Sequence, residues 1–120
     1  MSTRQEKVGE LLKVEISQML QRELKDPRIG FVTITDVEVS PDLRHARVFV
    51  SIMGEEEERQ ASMKALKSAS GFIRSELGKR LRMRVTPDVE FRIDSSIEQG
   101  ARIFELLEQI KRNESQSQED

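Results

Sequence analysis

The sequence predicts an α+β domain in which helices cover one face of a three-stranded sheet. Two observations carry this. Apolar residues recur at helical spacing in the first 24 residues, alternate in three short segments, and return to helical spacing around the third of these. The resulting order is α-β-β-α-α-β-α, and three strands that cannot satisfy their edges alone must share one sheet. At 120 residues the chain suits a single domain with one modest core.

The first helix rests on Val8, Leu11, Leu12, Ile16, Met19, Leu20 and Leu24, spaced by threes and fours and expected in the core. Ser2 or Thr3 is placed to cap it. Asp26-Pro27 should end it, because the residue before a proline is pushed out of the α region. Residues 31–40 read as a strand whose apolar parity changes, from Val32 and Ile34 to Val37 and Val39. A bulge near Thr35-Asp36 reconciles the two halves, and so would burial of both faces. Ser40-Pro41-Asp42 signals a turn. From Arg44 to Met53, Ala46, Val48, Val50 and Ile52 alternate with Arg47, Phe49 and Ser51, which makes an antiparallel hairpin with the first strand. Glu55–Glu58 suit the first turn of a helix, where negative charge offsets the positive dipole end. That helix continues through Met63, Leu66 and Ala69, and Phe72, Ile73, Leu77, Leu81 and Val85 carry an apolar face onward. Thr86-Pro87 leads into a third strand over residues 89–94, which should join the sheet edge nearest the helices. Ser95 and Glu98 have capping-box spacing at the start of a last helix with Ile97, Ala101, Phe104, Leu107 and Ile110 on one stripe. Phe72, Phe91 and Phe104 fit core positions. Residues 113–120 are polar and read as a disordered tail.

Composition excludes several classes of chemistry. The chain has no cysteine, so disulfides, thiolate zinc sites and thiol catalysis are out, and a reducing compartment fits. No segment approaches the ~20 apolar residues of a membrane span, and the N-terminus has no signal-peptide apolar region. These features point to a cytoplasmic protein. His45 is the only histidine and cannot build a multi-histidine metal site. Neither Walker-A nor GxGxxG spacing occurs, and no nucleophile elbow is present. Five phenylalanines without tyrosine or tryptophan argue against an exposed base-stacking platform, Phe49 being the one candidate. The reading is a non-enzyme without cofactor or metal.

Charge is where the sequence becomes specific. The net charge is only −2, yet residues 64–84 hold Lys64, Lys67, Arg74, Lys79, Arg80, Arg82 and Arg84 against Glu76 alone. A positive field on one element of an otherwise acidic chain suits a polyanionic partner. Gly71 lies inside this stretch. A glycine within a helix costs ~1 kcal/mol relative to alanine, so its presence suggests a sharp turn or a close approach. A helix starting just after it would offer free N–H groups to a phosphate.

The segments LKDPRIGFVTITDVEVSPDLRHARVFVSI and KALKSASGFIRSELGKRLRMRVTPDVEFRIDSS resemble KH-type RNA-binding domains and, more closely, the bacterial ribosome-binding factor A family, over roughly residues 5–110. The resemblance implies a KH-like domain of type II topology over residues 1–94. It adds a C-terminal helical extension over 95–112 and a tail over 113–120. Ala69-Ser70-Gly71 matches the family's Ala-x-Gly kink between two helices, which stands where many KH domains carry a GxxG loop. The family is non-catalytic, binds 16S rRNA in the 30S subunit, assists its late maturation and processing, and supports growth in the cold. On this resemblance the candidate RNA-binding residues are Ala69, Ser70, Gly71, Arg74, Lys79, Arg80, Arg82 and Arg84, extended by Arg28, Arg44 and Arg47. The expected partners are the 30S subunit and its 16S rRNA, with the protein acting as a monomer. A protein-interaction module working through acidic helices, without RNA contact, is the alternative.

Overall fold

A computed structural model describes residues 3–24, 26, 27, 29 and 32–119, with 97–101 and 114–119 as backbone only. The order is α1 (Arg4–Arg22), β1 (Val32–Val39), β2 (His45–Ile52), α2 (Glu56–Leu81), β3 (Asp88–Ile93) and α3 (Ser96–Glu119). The sheet order is β1-β2-β3. β1 and β2 form the antiparallel hairpin, with the register shift between Ile34 and Asp36 that the parity change requires. β3 joins the free edge of β2 in parallel, Val48 opposite Phe91.

Each element can be traced to its residues. Thr3 caps α1, its Oγ1 accepting the Glu6 N–H at 3.1 Å. The helix ends at Arg22, before Asp26-Pro27, because the Glu23 and Leu24 N–H groups both close onto Met19 O. Leu12, Ile16 and Met19 are fully buried in the core, where α1 packs on β1. Leu11, expected with them, points outward and is 54 % exposed. Gly9 lets α1 lie close on β1: a Cβ there would sit 2.9 Å from Val37 O. On β2, Ala46, Val48, Val50 and Ile52 face the helices. Arg47, on the opposite face, is exposed and Phe49 is half-buried.

α2 departs from the expectation of two pieces. It runs as one helix from Glu56 to Leu81, straight through Ala69-Ser70-Gly71. Leu66, Ile73 and Leu77 keep one buried face across the glycine, and that packing outweighs its poor helix propensity. No second helix start exists at Gly71, and so no phosphate-binding N-terminus exists there. Ser68 and Ser70 do donate their hydroxyls back to the Lys64 and Lys67 carbonyls, at 3.0 and 2.8 Å, a pattern that bends helices. Phe72, expected inside, lies on the outer side of α2. α2 ends at Arg82, which adopts the left-handed conformation (φ 49°, ψ 42°) usually left to glycine.

The exit from β3 is held by Asp94. Its Oδ1 accepts the Ser96 N–H at 2.9 Å and its Oδ2 accepts the Thr35 hydroxyl at 2.6 Å, while its own N–H donates to Val50 O. The Asp94 carboxylate thus makes a side-chain contact at the start of α3; the capping box expected between Ser95 and Glu98 lies outside the described side chains. Every described side chain of α3 from Arg102 to Asn113 is exposed, Phe104 included, whereas Ile97 and Ala101 of the expected stripe lie outside the described side chains. The principal extents, 69 × 39 × 18 Å, reflect this projecting helix.

Candidate nucleic-acid interface

The outer side of α2 and the edge of β3 form a continuous seam. Among the described residues β3 is paired only to β2, so alternate N–H and C=O groups of its other edge face this seam. One depression of 530 Å³ lies between Met63, Lys67 and Ser70 of α2 and Val89–Ile93 of β3. A second, of 440 Å³, follows along the helix, lined by Gly71, Arg74, Ser75, Gly78, Arg84, Val85 and Thr86. Gly71, Ser75 and Gly78 share one helical face at spacings of four and three, leaving a smooth floor. Around Gly71 nothing lies within 4 Å of where a Cβ would be. Gly78 is filled from outside by Thr86, whose Oγ1 would meet a Cβ at 2.8 Å. A floor of small residues, open at Gly71, with arginines on its walls, has room for the close approach of a sugar-phosphate backbone.

The predicted basic residues divide into distinct groups. Arg74 lies across the seam, its Nε 3.3 Å from Asp88 Oδ1 and donating to Thr86 O at 3.4 Å. Both ends of the Arg74–Asp88 pair are more than half exposed, so the pair exchanges readily for another anion. Arg82 and Arg84 follow the end of α2, exposed and without an ion-pair partner among the described residues. Lys79 points to solvent, 3.7 Å from Glu76. Ala69 packs partly against the core and presents little surface. Arg28 lies outside the described residues. Arg44 is exposed at the turn into β2, where its carbonyl accepts the Asp88 N–H. Arg47 sits on the far face of the sheet, 3.8 Å from Glu90, and does not join the seam.

Arg80 is different in kind. Glu23 holds it in a short hydrogen-bonded ion pair, with Glu76 at 3.5 Å and Glu15 at 3.7 Å. Its side chain is only 27 % exposed. The hydrogen bond to Arg80 holds the Glu23 carboxyl below its ordinary value, and the same bond raises Arg80. Arg80 therefore ties α2 to α1 through carboxylates of both helices. Lys67, named in the sequence only as part of the basic stretch, lies on the seam; Ser75, Gly78 and the edge of β3 lie there too and were not singled out, the spacing of Gly71, Ser75 and Gly78 being the available signal.

Among the described residues no group of three or more Asp, Glu or His side chains gathers to hold a metal ion, and no helix is long and apolar enough to cross a membrane. The sequence pattern that defines ribosome-binding factor A matches residues 4–107. The chain belongs to the ribosome-binding factor A family. The ribosome-binding factor A of Halothermothrix orenii is 53 % identical over 117 residues, covering 98 % of this chain and 96 % of that protein. The crystal structure of ribosome-binding factor A from Thermus thermophilus is similar with a TM-score of 0.67 at 30 % identity, over 76 % of this chain and 97 % of that one. A homology model of the Thermus thermophilus factor, fitted into the cryo-EM map of its complex with the 30S subunit, gives a TM-score of 0.61 at 31 % identity. It covers 72 % of this chain and 91 % of that one. The α+β order and the KH-like topology expected from the sequence are those of the family's solved structures.

Proposed function

We propose that this protein is a non-catalytic assembly factor of the cytoplasm that binds 16S rRNA within the 30S subunit and promotes late maturation and 16S processing, above all in the cold. The family's name supports binding to the ribosome, and the 30S complex of the Thermus thermophilus relative supports the subunit. The observation that carries the RNA reading is the α2–β3 seam: a glycine-serine floor with Arg74 on one wall and Arg84 on the other. Contacts of this type read phosphates and backbone shape rather than base identity. Lys67 and Ser70 extend the surface along the edge of β3, and Arg82 and Lys79 add to its field. No cofactor or metal enters the mechanism. Preferential binding to one RNA conformation shifts its population, and ~1.4 kcal/mol of preference changes the ratio tenfold.

The test is binding of the purified protein to 16S rRNA across a salt series. Replacing Arg74, Arg82 and Arg84 together by alanine should weaken binding and flatten the salt dependence, each lost phosphate contact removing ~0.7–0.9 from the log–log slope. Arg80 stays in place so that the scaffold is untouched. In a deletion strain at low temperature, the triple variant should restore 16S processing less well than the wild type. Unchanged affinity and slope would remove the seam from the interface.

A further inference from the structure

A carboxylate stands in the basic seam. Arg82 and Arg84 have no ion-pair partner among the described residues, but Arg74 holds its Nε 3.3 Å from Asp88 Oδ1. Asp88 opens β3 where the two depressions meet, since Thr86 lines one and Val89 the other. Its backbone is fixed. Pro87, whose ring sets its own φ, is fully buried just before it, and the Asp88 N–H donates to Arg44 O at 2.8 Å. Its side chain is not fixed in this way. It is 64 % exposed, and its other oxygen lies 3.9 Å from His45 Nδ1, too far for a hydrogen bond. The carboxylate is therefore well placed by the strand, yet anchored mainly by Arg74.

We propose, resting on the reading of the seam as an RNA site, that Asp88 is a built-in competitor for the phosphate. RNA must displace it from Arg74 on binding, and it retakes Arg74 on release. The guanidinium suits such an exchange, because carboxylate and phosphate oxygens accept from the same planar set of N–H donors. Both side chains are more than half exposed, so the displaced carboxylate returns to water without a burial cost. Two effects then lower the affinity for RNA. Arg74 gives up an existing partner, which for an exposed pair corresponds to about fivefold at most. The displaced carboxylate also stays beside the incoming phosphate, and repulsion at ~7 Å in water adds about two- to threefold. The seam thus holds RNA more loosely than its arginines alone would, with most of the difference in the dissociation rate. A factor that binds a maturing subunit must also leave it, and Asp88 sets how readily this surface lets go.

The experiment is a double-mutant cycle on purified 16S rRNA. Equilibrium affinity and dissociation rate are measured for the full chain as wild type, Arg74→Ala, Asp88→Asn and the double variant. Asp88→Asn keeps the size of the side chain and removes its charge, so the circular dichroism spectrum should not change. It should bind about three- to tenfold more tightly and dissociate correspondingly more slowly. Arg74→Ala should weaken binding, and on that background Asp88→Asn should gain no more than about twofold. Equal gains on both backgrounds overturn the proposal, because Asp88 would then act as bulk negative charge and not through Arg74. So does an Asp88→Asn protein that binds no better than the wild type while Arg74→Ala binds worse. Asp88 would then only position Arg74, and the seam would stand. If Arg74→Ala binds as tightly as the wild type, the seam itself loses that arginine and the proposal falls with it.

Discussion

Gly71 and Gly78 lie on the same face of the same helix, yet alanine should affect them in opposite directions. Gly71 has helical backbone within a continuous α2, and a Cβ there meets nothing within 4 Å. Gly71→Ala therefore gains helix propensity and loses no contact, a stabilisation of about 1 kcal/mol. For a chain of this length that raises Tm by about 3–6 °C. Gly78→Ala gains the same propensity but drives a methyl to 2.8 Å from Thr86 Oγ1. Overpacking of this kind costs about 1–3 kcal/mol, so the net change is a loss of up to ~2 kcal/mol. Removing the obstructing hydroxyl with Thr86→Ala should recover the helix gain in the double variant. Thermal and urea unfolding followed by circular dichroism measure all three. The same Gly71→Ala protein should bind 16S rRNA more weakly, by about 1 kcal/mol or fivefold, since its methyl stands on the floor of the seam. A variant that is more stable and binds less separates function from folding. If Gly71→Ala lowers Tm instead, α2 is not a regular helix at that residue and the reasoning fails.

Three further outcomes are expected. Gly9→Ala should destabilise by about 1–3 kcal/mol in urea unfolding, because its Cβ would meet the Val37 carbonyl at 2.9 Å and backbone cannot rotate aside; a neutral result would mean α1 slides freely on β1. Arg80→Met should lower stability at pH 7. The folded Glu23 carboxyl titrates below its ordinary 4.5, so the stability from its pairing is complete above that pH and is lost as the pH falls through the depressed value. The gap between variant and wild type should accordingly shrink as the pH falls below the ordinary 4.5; a gap that widens on acidification would sink the ion-pair account. Deleting residues 113–120, which have no apolar side chain to bury, should leave Tm unchanged within 1–2 °C, a shift of a few tenths of a kcal/mol at most; a larger drop would show that the tail docks.

Local signals in the sequence translated well into structure. The change of parity between Ile34 and Val37 located the bulge, and Thr3 capped the helix it preceded. Both depend on residues close in sequence. What failed depended on distant partners. Seven basic residues looked equivalent along residues 64–84, but Arg80 meets Glu15 and Glu23, which arrive from a different helix. Phe104 had the spacing of a core residue, yet periodicity shows only that a helix has an apolar side, not that its own domain supplies a surface for it. Gly71 was read as a break because glycine is a poor helix former, and the buried face from Leu66 to Leu77 carried the helix through. The family resemblance pointed to the stretch of α2 that lines the seam, while the floor at Ser75 and Gly78 emerged only once α2 was seen to be continuous.

The parallel pairing of β3 sets a constraint in time. The β1–β2 hairpin closes over five residues and can form early, with α1 already available to cover it. β3 must wait for residues 53–87 to be made and for α2 to pack, because its only partner strand is β2. Synthesis runs from the N-terminus, so the seam between α2 and β3 is assembled last, after Ile93 has left the translating ribosome. A nascent chain therefore carries its basic segment before it has a groove in which to use it. On the function proposed above, the ribosome that makes this protein is thereby spared a half-formed factor gripping its own RNA.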